Sequence, residues 1–265
     1  ITSGQGKTIG WITVHAEPDR FILRADPDTA EAMLAHFQKQ AIFEDATFRD
    51  ITAETAEGHL VGPQSEQLLK NLGLAIPETD LGIVSSPLLA VNVQVIRESP
   101  TGRPGFTLIF PRDAAPPVGD LPLLDLDAFE ALRIEAGTPK YGAEITPNNL
   151  PQEIGRDNRA ISFVKGCYLG QETVARLDAL GHVNKIVFGG VCDSSDVPEI
   201  GTKLEADGKE VGVVTSTAFS PGLSKGVILG VVKVSHAQAG KVLQTTGPNG
   251  PIALKVQAFP LIDLS

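Results

Sequence analysis

The pattern of hydrophobic and polar positions along this chain changes in texture near residue 183. In the first part, strand-like and helix-like stretches follow one another. Ile9–Val14 and Phe21–Arg24 read as strands joined by the polar turn Glu17-Pro18-Asp19. Asp28 is placed to cap a helix running to about Gln40, with Ala32, Met33, Ala35, His36 and Phe37 near its packing face. Ala46–Ile51 reads as a strand, and Pro63–Leu72 as a short helix closed by Gly73. Leu88–Ile96 and Phe106–Phe110 read as strands, 114–117 as a turn or linker, and Asp127–Ala136 as a helix carrying Arg133 and Glu135. This rhythm predicts an α+β body with mixed sheets.

After Val183 the runs become short, β-rich and separated by Gly, Pro and Asp. They are 185–191, 203–206, 210–215, 227–234, 242–245 and 252–258. Asp207-Gly208 is a strong hairpin signal. Closely spaced short strands of this kind predict a small C-terminal β-barrel. The expected division is therefore 1–182 for the body and 183–265 for the barrel, with a further split near 115.

The 265 residues, 42% of them hydrophobic, suffice for a substantial core. A net charge of −10 argues against a broad nucleic-acid surface, which needs clustered Lys and Arg. Cys167 and Cys192 are the two cysteines, too few for a disulfide framework and suited to a reducing compartment. No apolar run is long enough to span a bilayer, and no signal peptide is visible. The expected location is cytoplasmic, or an organellar matrix if a presequence has been removed. The chain opens at Ile1 without methionine, so a preceding segment is expected.

The densest chemistry lies in Lys165-Gly166-Cys167-Tyr168-Leu169-Gly170-Gln171-Glu172. A cysteine flanked by a lysine and followed by a helix start has the setting in which a thiolate is favoured. Gly166 and Gly170 permit backbone conformations closed to other residues. The same residues also suit a small buried cysteine in a tight turn. Other patterns carry less. Ser3-Gly4-Gln5-Gly6-Lys7-Thr8 ends like a phosphate loop, but Ile1 stands where its first glycine belongs. The histidines at 15, 36, 59, 182 and 236 form no short zinc-ligand spacing, so no permanent metal is expected. No nucleophile elbow occurs. Glu130 and Glu135 are five apart, which does not place them on one helix face.

The octapeptide around Cys167 resembles the signature of the YgfZ-type folate-binding proteins of iron–sulfur cluster assembly and repair. These are relatives of the glycine-cleavage T-protein, an aminomethyltransferase. Leu132-Arg133-Ile134-Glu135-Ala136-Gly137 with Lys140-Tyr141-Gly142 is similar to a stretch shared by both branches, and Leu150-Pro151-Gln152-Glu153 and Val183-Asn184-Lys185 fit the YgfZ branch. The resemblance runs from about Thr8 to Pro260.

It implies a folate-binding body followed by a barrel, and tetrahydrofolate or a related folate as ligand. It also implies iron–sulfur client or assembly proteins as partners. Cys167 would be the reacting group, as nucleophile, redox thiol or transient cluster contact, with Lys165, Gly166, Tyr168, Gly170, Gln171 and Glu172 shaping its surroundings. Arg133, Trp11 and Tyr141 would line the folate cavity, Lys140 beside them. For Arg133 a helix-surface salt bridge with Glu130 or Asp127 is the equal alternative, and for Trp11 ordinary core packing. The catalytic aspartate of the T-protein branch falls at Gly10 or Trp11, and its pterin-binding glutamate at Thr107, so both acids are replaced. The alternatives are a folate-dependent aminomethyltransferase and a binding module that has lost its ligand.

Overall fold

The computed structural model describes residues 1–88, 90–116, 118–119, 121–181 and 183–264. The sequence-based turn at 114–117 and strand at 88–96 therefore each include a residue, Pro117 and Leu89, outside the described set, as is His182. The chain forms two compact units, 12–123 and 1–11 together with 124–265.

The 12–123 unit contains a two-stranded hairpin, β1 (Ile12–Ala16) and β2 (Phe21–Ala25), followed by α1 (Ala30–Gln40). A four-stranded antiparallel sheet follows, in the order β3-β6-β5-β4: β3 (Thr55–Val61), β4 (Ile83–Leu88), β5 (Val91–Arg97) and β6 (Gly105–Pro111). Between β3 and β4 lies α2 (Ser65–Asn71). Strand alternation gives this sheet two unlike faces. Val93, Val95, Phe106, Leu108 and Phe110 pack with Leu69 and Leu74 into an apolar core. Register puts Glu57, His59, Thr107 and Gln94 on the opposite, polar face.

The second unit holds α3 (Leu126–Ala136), α4 (Asp157–Ala160) and α5 (Gln171–Leu180), then six strands: β7 (Lys185–Cys192), β8 (Lys203–Ala206), β9 (Lys209–Ser220), β10 (Lys225–Lys233), β11 (Val242–Gly247) and β12 (Gly250–Gln257). These close into a barrel in the order β10-β7-β12-β11-β8-β9. Phe188, Leu204, Ile228, Leu243, Ile252 and Leu254 are among the side chains filling it. Asp207 and Gly208 form the two-residue loop between the paired residues Ala206 and Lys209, both with positive φ, as the hairpin signal requires.

Several expectations change. The strand expected at 46–51 does not form, and 46–50 is mostly exposed. The β3 and β4 strands were not expected, because Gly58 and Pro87 interrupt their patterns. Pro87 is tolerated because β4 is an edge strand. The helix expected from Asp28 begins as a 3₁₀ turn at Pro27–Thr29, capped by Asp26, before α1. By compactness the chain divides at 11/12 and at 123/124, the latter near the further split expected about 115. Residues 124–181 go with the barrel, because α3 packs on β9 and buried polar contacts tie them together.

Candidate functional site

Cys167 is exposed on an irregular stretch just before α5, whereas Cys192 is buried in the barrel core. Burial, with Asp193 and Asp196 adding to it, pushes the Cys192 thiol up to about 11, so it stays protonated. The loop holding Cys167 is fixed on its C-terminal side. The Tyr168 N–H donates to Gln171 Oε1 at 3.0 Å, and the Gln171 N–H donates to the Tyr168 carbonyl at 3.2 Å. The Thr2 hydroxyl donates to the Leu169 carbonyl. Gly170 has φ +82° and lies against the Ser3–Gly6 turn, so closely that a Cβ would sit 2.8 Å from Gly6 Cα. Gly6, at φ +77°, faces Thr173, whose Cβ would be 2.7 Å from an added Cβ. The turn that resembled the end of a phosphate loop is thus a seat for the cysteine loop.

Upstream of the sulfur the chain is open. Phe163 and Val164 on this stretch, and Leu169 beyond the sulfur, are exposed apolar side chains. Gly166 does not meet the expectation for it: it lacks a positive φ, and an added Cβ would meet nothing within 4 Å. Lys165 places its ammonium 4.4 Å from the centre of the Tyr168 ring, a cation–π contact. Glu172 is exposed in the first turn of α5, where a carboxylate complements the helix dipole.

Arg133 is not the free fork expected beside a folate. Its Nε and Nη2 donate to Glu130 at 3.1 and 2.6 Å, and Nη1 donates to the Thr138 carbonyl at 2.7 Å and Glu144 at 3.2 Å. Nη2 also donates to the Ser216 hydroxyl at 2.8 Å. A guanidinium has five N–H donors, and all are used. The salt bridge to Glu130 weighed in the sequence is present, extended into a buried network. Glu144, fully buried, accepts from Lys140 N, Arg133, Thr215 and Ser216. A bulge in β9 opposite Leu229 and Gly230 lets the consecutive residues Thr215 and Ser216 both face this carboxylate. Tyr141 is half-buried in a parallel bridge with Ile145, Lys140 reaches Glu130 at 3.4 Å, and Trp11 is half-buried.

In the 12–123 unit, a carboxylate stands beside Thr107, the position where the resemblance has an acid replaced. The Thr107 hydroxyl donates to Glu98 at 2.5 Å and contacts His59 Nδ1 at 3.2 Å. Glu98 in turn receives Arg24 on both oxygens, at 2.9 and 3.0 Å. Burial opposes ionisation of Glu98, but the bonds from Arg24 and Thr107 hold its pKa below the ordinary value. Sequence reasoning missed Glu98 and Glu144, since neither sits in a motif and only the fold buries them. Among the described residues, no cluster of three or more His, Cys, Asp or Glu could hold a metal ion, and no helix is long and apolar enough to cross a membrane.

The mixed α+β architecture with its six-stranded barrel is the aminomethyltransferase fold. Over 99% of this chain it superposes on the crystal structure of glycine cleavage system aminomethyltransferase T from Bartonella henselae, with a TM-score of 0.86 and 24% identity, covering 74% of that protein. The model of the glycine cleavage T-protein C-terminal barrel domain matches residues 178–263. An aminomethyltransferase of Thermoanaerobacter sp. (strain X514) is 28% identical over 225 residues, which is 78% of this chain and 60% of that one. One from Streptomyces avermitilis is 29% identical over 249 residues, 86% of this chain and 65% of that one. The chain thus spans about three fifths of the first relative's length. Together these similarities show the fold of the chain and, over residues 178–263, its likeness to the T-protein C-terminal barrel domain.

Proposed function

We propose that this protein is a YgfZ-like accessory factor for iron–sulfur cluster assembly or repair, acting through Cys167. The observation that carries the reading is the exposed cysteine on a loop anchored by paired glycines, while the second cysteine is buried and protonated. One accessible thiol cannot hold a cluster that needs four ligands. Cys167 therefore acts as a single ligand or thiol contact during transfer, and the client protein supplies the rest. Exposed Phe163, Val164 and Leu169 beside it favour contact with a protein partner. A reducing compartment, cytoplasm or organellar matrix, keeps that thiol free.

The positions that would handle protons in one-carbon transfer on a folate do not suit that task. Gly10 and Trp11 offer no carboxylate, the Arg133 donors are spent, and the Glu98 carboxylate is engaged by Arg24. Proton handling at a folate nitrogen needs a positioned acid or base. No step is therefore routed through a folate, and the proposed role rests on the thiol.

A second reading, a folate-dependent aminomethyltransferase, is favoured by the names of the curated relatives. The two separate by experiment. Deleting the gene in its host, and adding back wild type or Cys167→Ala, should lower several iron–sulfur enzyme activities that only wild type restores. Unchanged activities on deletion would remove the first reading. Turnover of an aminomethyl donor with tetrahydrofolate by the purified protein would establish the second.

A further inference from the structure

The β1–β2 hairpin is built inside out. Its outward face carries Val14, Phe21 and Leu23, all exposed, with Phe21 at 70%. On the other face, register aligns His15 with Ile22 and Thr13 with Arg24. Arg24 reaches Glu57 of β3 at 2.5 Å and Glu98, just past β5, at 2.9 Å. Glu17, at the end of β1, accepts from Ser85 at 3.1 Å and Gln94 at 2.8 Å, and pairs with Arg20. The hairpin is therefore held to the four-stranded sheet largely by polar and ionic contacts, with Ile22 as its buried apolar residue.

Two imidazoles lie in this layer. Thr107 spends its single hydroxyl proton on the ionised Glu98, so it must accept from His59 Nδ1. That fixes His59 as the Nδ1–H tautomer and leaves Nε2 as a bare lone pair. His59 Nε2 is buried without a hydrogen-bond partner, against Gly105, whose added Cβ would be 2.9 Å away. His15 is 2% exposed, and its Nε2 is likewise buried without a partner. Both rings sense Arg24, Glu57 and Glu98. With neutral imidazoles, Arg24 against two glutamates leaves the layer one negative charge in excess, which invites a proton. Among the described residues nothing accepts an Nε2–H of His59, and His15 has only the Leu81 backbone as a hydrogen-bonding group that favours its charged form, against a larger burial cost.

We propose that the hairpin is a proton-released latch, held closed on the sheet while His15 and His59 are neutral and opened when either takes a proton. Burial, the largest influence on both rings, lowers their pKa values below the ordinary histidine value of 6.5. The closed form is therefore fully favoured above about pH 6.5. It weakens as pH falls below that value, by at most about tenfold in the opening equilibrium per pH unit for one proton, until the closed-state pKa is reached. Glu98 titrates separately, below about 4.5.

Hydrogen exchange on the whole chain tests this, corrected for intrinsic rates and compared at about pH 7.5 and pH 5.5. Protection of 12–25 should fall, by up to roughly tenfold per proton taken, while that of barrel strand 227–233 holds. In the double variant His15→Gln, His59→Gln, which cannot titrate there, the pH dependence should vanish. Equal loss in wild type and variant, or no loss in wild type, would overturn the proposal. If the double variant does not fold, ¹⁵N histidine spectra of the wild type decide. Protonation of Nε2 coinciding with loss of 12–25 protection supports the latch, and protonation with protection intact refutes it.

Discussion

Gly6 and Gly170 meet backbone to backbone, both left-handed: a Cβ on Gly170 would sit 2.8 Å from Gly6 Cα, and one on Gly6 would sit 2.7 Å from Thr173 Cβ. The contact fixes the start of α5 and, through Leu169, the downstream end of the cysteine loop. Gly170→Ala should therefore destabilise the protein by about 2–4 kcal/mol, combining left-handed strain with overpacking. Gly166→Ala, with open space at its Cβ, should change stability by no more than about 0.5 kcal/mol. Denaturant midpoints of the two variants check the difference, with the slope unchanged in each.

Arg133 and Glu144 are buried partners, and removing either strands the other. Arg133→Met should cost about 3–5 kcal/mol, because the Glu144 carboxylate is then buried with its charge uncompensated. Arg133→Lys should not restore that loss, since an ammonium cannot span Glu130, Thr138, Glu144 and Ser216 at once. Thermal unfolding of both variants tests the claim. Near-wild-type stability in Arg133→Lys would show that the fork geometry is dispensable.

Much of the barrel was legible because its strands keep their apolar alternation between turn residues, as at Asp207-Gly208. The earlier sheet was less so. Gly58 and Pro87 break the pattern of β3 and β4, and their pairing depends on partners distant in sequence. Ala46–Ile51 shows the reverse, an apolar pattern with no strand to join. At the site, the sequence named Cys167 and Arg133 but could not choose between roles for Arg133. That choice turned on Glu144 and on a β9 bulge, both products of contacts across more than seventy residues.

The two thiols should separate cleanly in reactivity. At neutral pH a disulfide reagent should modify Cys167 promptly in the native protein, and Cys192 only after unfolding. Cys192 is buried in the barrel core, with its thiol raised to about 11. Quantifying released thiolate before and after denaturant gives one equivalent, then a second. Two fast equivalents in the native state would mean that the barrel opens readily.

Glu98 should leave a signature at lower pH than the histidines. Burial disfavours its charge, yet the hydrogen bonds and charge of Arg24, with Thr107, hold its folded pKa below the ordinary 4.5. Its contribution to stability is therefore present above about pH 4.5 and is lost as pH falls through the folded value. Glu98→Gln should remove part of that acid limb and lower stability near neutrality, because Arg24 then keeps only the half-exposed Glu57 as counterion. Urea midpoints of wild type and variant from neutral pH down into the acid range should converge as pH falls. Parallel curves would show that the Arg24–Glu98 pair does not drive the acid loss.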